Sequence, residues 1–392
     1  MFKKTRDTIK NYSLLALCFC YALVRGSAKK LGTEVNNILI VHDAKMGDMV
    51  CLTPTIRAAK QARPQARVFV YGNAIGRAIL AGNQAVGGYI ESNQNMFALI
   101  KSFRQNNIDY VAIAAPDFRA AAIAFLAGIK TICCSNVEGG FSPWETAAYG
   151  LLKKLTFQYP LRMNFYAPAE YLGALAPLGS TTNAAGITSA ASFTDTRKEL
   201  YYSPQAAERI KQFFAEHHLT PKKDFIVAIS PSAGNKIKNW PGERFAEVAA
   251  YAHKKHNAKI IIIGSRVDGP EVEGMLRHMA PGVPLINTLN LFSIDELKAF
   301  LSQVSLLVAV DTGPIYIAEA FGVPTIDIIG PVSEKEQPPI SAIHKIVFLR
   351  DRKAPAVHIM NARIYDSAEA RRQVEGITVA MVEEVLEEVV GK

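Results

Sequence analysis

ILIVHDAKMGDMVCLTP, residues 38–54, sets how the rest of the chain is read. Its first five residues are a short unbroken apolar run, the signature of a parallel strand covered on both faces. A turn follows at residues 43–48, then a helix over 53–61 with Pro54 in its first turn, where the missing N–H costs nothing. Strand, small-residue turn and helix make the opening unit of an open parallel sheet, with chemistry expected at the strand's carboxyl end.

Working outward, the same rhythm repeats. RVFVY (67–71), YVAIA (110–114) and KTIC (130–133) read as strands between Ala-rich helical segments. Residues 178–222 break the pattern with the polar runs 180–183 and 192–196, and read as a passage between domains. A second series then begins with FIVAIS (225–230). A helix over 243–256 buries Phe245, Val248, Ala249 and Ala252 on one face. KIIII (259–263) is a strand. The helix over 293–302 starts on Ser293 with Glu296 completing a capping box. LLVAV (306–310), a helix over 314–321 and TIDII (325–329) follow. The last helix, 378–390, carries Glu383, Glu384, Glu387 and Glu388 and reads as a solvated surface helix. The expectation is an α/β chain of two Rossmann-like domains whose parallel sheets face across a cleft. Its parts are an arm at 1–35, an N-terminal domain at 36–195, a linker at 196–222, a C-terminal domain at 223–345 and a final segment at 346–392.

The 392 residues carry 44 Lys and Arg against 35 Asp and Glu, a net charge of +9. Six of those nine charges fall in residues 1–30, where Lys3, Lys4, Arg6, Lys10, Arg25, Lys29 and Lys30 outnumber Asp7. A nucleic-acid partner, which calls for basic residues spread over a domain face, is therefore not expected. An anionic membrane surface is. Within the arm, SLLALCFCYALV (13–24) is an apolar run with basic flanks. As a helix it would span about 18 Å, short of a ~30 Å hydrocarbon core. Three readings stay open: an interfacial anchor, a secretory signal with Gly26, Ser27 and Ala28 near a cleavage point, and a helix packed on the body or on a partner copy.

Cys18, Cys20, Cys51, Cys133 and Cys134 are odd in number and fit no zinc or redox spacing, so they read as small buried hydrophobes. His253 and His256 lie three apart, but Lys254 and Lys255 between them mark a wet surface, and no metal is expected. P-loop, dinucleotide and hydrolase-elbow motifs are absent from the sequence.

Four segments sit where a parallel sheet does chemistry. Asp48, after Gly47, reads either as an N-cap or as a general base. Asp311, Thr312 and Gly313 precede a helix whose free N–H groups and dipole favour an anion, with Gly313 allowing a ligand close. Ser232, Ala233 and Gly234 are small enough for a phosphate to approach, and Lys236 or Lys238 could neutralise it. Asp268, after Gly264, could bind ribose hydroxyls or simply close its loop.

In this order, ILIVHDAKMGDMVCLTP, SPSAGNKIKNWP (230–241), Gly264 to Asp268 and DTGPIYIAEAFGVP (311–324) resemble the landmarks of glycosyltransferase family 9, the lipopolysaccharide heptosyltransferase family. IIGPVSEKEQPP resembles the family's following Gly-Pro turn, and the likeness spans about residues 36–345. The resemblance implies a GT-B fold and inverting, metal-independent transfer with no cofactor. It implies a nucleotide-sugar donor, usually ADP-heptose, and a lipid A-core acceptor at the cytoplasmic face of the inner membrane. It gives Asp48 the base role and Lys238 the donor phosphates. Ser232, Ala233, Gly234, Asp268, Asp311, Thr312, Gly313 and Tyr316 fall to the donor site, Lys45 and Gly47 to the acceptor side. Ser230 and Tyr316 stand where the family usually carries His, Asp268 replaces a glutamate, and Lys45 replaces a small hydroxyl residue. Another nucleotide-hexose donor, a non-catalytic sugar-nucleotide binder and an epimerase on the same fold remain alternatives. Oligomeric state is left open.

Overall fold

The structure, a computed structural model, describes residues 2–30, 34–179 and 193–391. The polar run 180–183 and residue 192 lie outside the described residues. Among the described residues, twelve strands form two six-stranded sheets, every pairing in them parallel. The first sheet contains β1 (Asn37–Val41), β2 (Arg67–Gly72), β3 (Val86–Glu91), β4 (Tyr110–Ile113), β5 (Thr131–Glu138) and β6 (Phe157–Arg162), in the order β3-β2-β1-β4-β5-β6. The second contains β7 (Ile226–Ser230), β8 (Lys259–Ile262), β9 (Leu285–Asn287), β10 (Leu306–Val310), β11 (Thr325–Ile328) and β12 (His344–Val347), in the order β12-β11-β10-β7-β8-β9. Counted from its own first strand, each sheet has the Rossmann order 3-2-1-4-5-6. The strand order therefore reverses between β1 and β4 in one sheet and between β7 and β10 in the other. Such switch points, at strand carboxyl ends, are where open α/β sheets bind ligands.

The chain separates into two compact units. The first is Met1–Ala44, Leu52–Arg77 and Asn83–Arg197; the second is Lys45–Cys51, Ala78–Gly82 and Lys198–Lys392. Each has its own core. In the first, Leu39, Val41, Val111, Ile113 and Ile132 lie under Ile123, Phe125 and Leu152. In the second, Val227, Ile229, Ile260, Val308 and Ile326 lie under Phe245, Val248, Ala249 and Leu386. Continuous apolar strands follow from this double cover.

Several local expectations are corrected. The turn at 43–48 holds the start of a helix, Met46–Cys51, so Asp48 is an in-helix residue and not an N-cap. Part of the 196–222 passage is a helix, Pro204–Glu216, capped by Ser203, whose hydroxyl accepts the Ala206 N–H. The final helix, Val379–Val390, is more than a solvated surface. Its Val382 and Leu386 are fully buried, and Glu387 Oε1 lies 2.7 Å from His256 Nε2 and 3.0 Å from the Tyr251 hydroxyl. The capping box at Ser293 and Glu296 forms as read from the sequence. Four cysteines are buried, but Cys20 is exposed.

The arm folds as one helix, Phe2–Arg25, packed on the first unit. Leu15 and Cys18 enter the core, and Tyr21 meets Phe125 edge to face, 6.2 Å between centroids. Arg25 turns inward. Its guanidinium lies 4.6 Å over the Phe125 ring and donates to the Phe125 and Ile129 carbonyls. Beyond the helix, Ala28 N–H donates to the Leu155 carbonyl at 2.7 Å and Lys30 N–H to that of Lys130 at 3.2 Å. The packing reading is thus realised for one helical face.

Candidate active site

The site residues singled out in the sequence all belong to the second unit, including Lys45, Gly47 and Asp48 from the segment after β1. They fall into two clusters.

The first lies at the β7/β10 switch point. β10 delivers Asp311, and the loop after β7 delivers Lys238, whose Nζ stands 2.7 Å from Asp311 Oδ2. Both side chains are mostly enclosed, 17% and 13% exposed. Asp311 Oδ1 accepts a hydrogen bond from the Tyr316 hydroxyl, because one turn of the helix Gly313–Ala320 carries residue 316 back over residue 311. Burial and the Asp311 charge push the Tyr316 phenol well above its ordinary range, so it serves as a neutral donor. Behind the ring, Lys198 Nζ lies 5.9 Å from its centroid and 2.7 Å from Glu319 Oε2.

The helix Met46–Cys51 packs directly on the helix Gly313–Ala320 through two glycines. A Cβ on Gly47 would come within 2.7 Å of the Tyr316 ring, and one on Gly313 within 2.7 Å of Met46 Sδ. Gly313, read from the sequence as room for a ligand, makes room for Met46 instead. Thr312 is the N-cap residue, yet its side chain makes no cap bond. Pro314 has no N–H, and the Ile315 N–H returns to the Thr312 carbonyl at 3.1 Å. Fewer backbone donors are therefore free at this helix start than the motif suggests. On the packed helix, Asp48 Oδ1 accepts from Gln337 Nε2 at 2.9 Å.

The second cluster closes the loops after β7 and β8. Ser232 Oγ donates to Asp268 Oδ1 at 2.7 Å, and Asp268 Oδ2 accepts from Ser265 N–H and Oγ at 2.8 and 2.7 Å. Burial pushes the Asp268 carboxyl up, but these bonds and the Lys236 charge outweigh it and hold the carboxyl below its ordinary value. Both oxygens are thus engaged in closing the loop, the alternative to ribose binding left open in the sequence. Lys236 Nζ reaches Ser232 Oγ at 2.8 Å and Glu271 Oε2 at 2.9 Å. Asn239 bridges Glu271 Oε1 and the Ala233 N–H, at 2.9 and 2.8 Å. Gly234 borders Lys45, whose Nζ lies 3.8 Å from the Cβ position.

Sequence reasoning missed Gln337, Glu271 and Asp327. Asp327 sits on β11, fully buried, and neither carboxylate oxygen has a hydrogen-bond partner among the described residues. Burial and then the Asp311 charge push it well above the carboxylate range, against the pull of Lys238. Its signal was available: one acid in the middle of TIDII. Among the described residues no three His, Cys, Asp or Glu gather in a metal-holding group.

Comparison with known proteins agrees with this architecture. The model of glycosyltransferase family 9 (heptosyltransferase) matches residues 185–363. Lipopolysaccharide heptosyltransferase 3 of Escherichia coli K12 is 24% identical over 298 residues, 72% of this chain and 79% of that protein. The solved E. coli ADP-heptose lipopolysaccharide heptosyltransferase II is similar with a TM-score of 0.67 at 18% identity, covering 90% of this chain and 98% of that one. The glycosyl transferase family 9 structure from Veillonella parvula also gives 0.67 at 18% identity, over 81% and 87% of the two chains. The structural likeness is one of fold, that of GT-B heptosyltransferases, and the sequence relatives carry the activity class. The chain is a glycosyltransferase, similar in sequence to glycosyltransferase family 9, the heptosyltransferase family.

Proposed function

We propose that this chain transfers a heptose from ADP-heptose to a lipid A-core oligosaccharide, with inversion and without a metal. The observation that carries the reading is the packing of the Asp48 helix on the helix that begins after Asp311, through Gly47 against Tyr316. It joins a carboxylate to the Lys238–Asp311 switch point within one compact unit. In this reading Asp48 takes the proton of an acceptor hydroxyl as that oxygen attacks the anomeric carbon. The bond from that carbon to the diphosphate oxygen breaks, and ADP leaves with the electron pair. Lys238 neutralises the leaving diphosphate, having exchanged Asp311 for phosphate as its partner. Gln337 holds one Asp48 oxygen so that the other faces the acceptor. The donor and acceptor named here are those of the relatives, and the reaction is assigned to the cytoplasmic face of the inner membrane, where such an acceptor is lipid-borne.

The test is transfer from a panel of ADP- and UDP-sugars to defined truncated lipopolysaccharides. Product from ADP-heptose alone, with the anomeric configuration inverted, supports the reading; product from a nucleotide-hexose instead replaces the donor. Asp48→Asn should lose most turnover and keep ADP binding, and wild-type turnover in that variant refutes the base role.

A further inference from the structure

The helix Phe2–Arg25 is about 36 Å long and has two apolar faces. One is used: Leu15 and Cys18 lie in the core of the first unit, and Arg25 fastens the helix end to the Phe125 and Ile129 carbonyls. The solvent-facing side carries Ile9, Tyr12, Phe19 and Leu23, spaced three, seven and four residues apart, with Leu17 and Val24 also exposed. Leu23 and Val24 are 89% and 90% exposed. This spacing makes a continuous stripe along the helix, and core packing does not account for it. No described helix is long and apolar enough to cross a membrane.

Charge identifies what covers the stripe. The arm has seven cations and one anion in its first thirty residues. Arg25 is spent inward, but Lys10, Lys29 and Lys30 are exposed. Lys130 and Lys154 are exposed too, and the backbone bonds from Lys30 to Lys130 and from Ala28 to Leu155 bring both close to the helix end. A second copy of this chain docked on the stripe would bring like charges together. An anionic lipid surface would neutralise them while its acyl boundary takes the apolar side chains.

We propose that the outward face of this helix docks the protein in the plane of an anionic phospholipid bilayer, with Leu23 and Val24 inserted and the lysines on headgroups. The packed inner face then fixes how the first unit is presented to the lipid. The proposal does not depend on which sugar is transferred.

The test uses the full chain and vesicles of phosphatidylcholine with or without about one third phosphatidylglycerol. The expected result is binding at least about tenfold tighter to the anionic vesicles and weakening with salt. Leu23→Ser with Val24→Ser should weaken it at least about tenfold further, with unchanged melting temperature and unchanged ADP binding, since neither residue is buried. Equal binding to both vesicle types, no binding, or full binding by the double variant overturns the proposal. A wild-type dimer in light scattering that the double variant dissociates also overturns it, because the stripe's occupant is then a second copy. Transfer to a short soluble acceptor, measured in parallel, separates failure here from failure of the catalytic reading.

Discussion

Removing the Lys238 ammonium tests the site most directly, because its partner is known and enclosed. Nζ and Asp311 Oδ2 are 2.7 Å apart, and both side chains are more than four-fifths covered. Deleting one member of a fully buried pair costs about 3–5 kcal/mol, since a charge is left without compensation. Here the Tyr316 hydroxyl still donates to Asp311, and some solvent reaches both groups, so Lys238→Met should cost about 2–3 kcal/mol. For a unit of this size that is a drop of roughly 5–10 °C in melting temperature. Asp311→Asn should also destabilise, by less, because a lysine has a flexible stem with which to find water. The double variant carries no unpaired charge, so it should melt above Lys238→Met, with a coupling of about 2 kcal/mol in the cycle. The assay is ligand-free thermal and urea unfolding of the four proteins. A Lys238→Met variant within 1 kcal/mol of wild type, or a double variant no more stable than that single, would mean the pair is a solvated surface contact. The proposed exchange of Asp311 for diphosphate would fall with it.

Three further outcomes follow from single contacts. Gln337→Leu removes the donor held on Asp48 Oδ1, and should lower kcat roughly tenfold while leaving the donor KM within about twofold, as expected for a positioning residue; an equal rise in donor KM in steady-state kinetics would place Gln337 in the donor site instead. Gly47→Ala drives a Cβ to 2.7 Å from the Tyr316 ring, and should cost about 1–3 kcal/mol in urea unfolding, relieved by combining it with Tyr316→Ala; an undamaged single variant would mean the two helices are not in contact. Asp327 binds its proton more tightly in the folded chain than its ordinary value of 3.8 implies, so the wild type loses stability as pH rises above that value. Asp327→Val should therefore stabilise by roughly 1–3 kcal/mol at pH 7, with the gain shrinking toward pH 4 in melts across that range, and a pH-independent gain would refute the buried neutral acid.

How much of the site the sequence revealed depends on chain distance. Lys238 and Asp311 follow the two strands at a switch point, so an alternating pattern was enough to set them side by side. Tyr316 lies on the first turns of the helix after Asp311, within reach of a periodicity argument. Gln337 stands 289 residues from Asp48, and no local pattern joins them. The glycines misled for a related reason. In sequence, Gly313 beside a helix start suggests a ligand's approach, but its vacant side is filled by Met46, a residue read as part of a turn. Asp327 was in plain view within TIDII, yet an acid in a strand has meaning once the neighbouring strand places Asp311 close enough to raise it.

The strands divide in the same physical way. Those legible in the sequence, β1, β2, β4, β5, β7, β8, β10 and β11, are the inner members of the two sheets. The four passed over, β3 (VGGYIE), β6 (FQYPLR), β9 (LIN) and β12 (HKIV), are all four sheet edges. An inner strand is hydrogen-bonded on both sides and covered on both faces, which forces a continuous apolar run. An edge strand is free along one side, so it tolerates glycine, proline, lysine or a length of three residues, and such residues also discourage pairing with another chain. Apolar runs therefore reveal the middle of each sheet first. The Rossmann switch points are in the middle, between first and fourth strands, so the residues proposed for the chemistry were legible where the sheet margins were not.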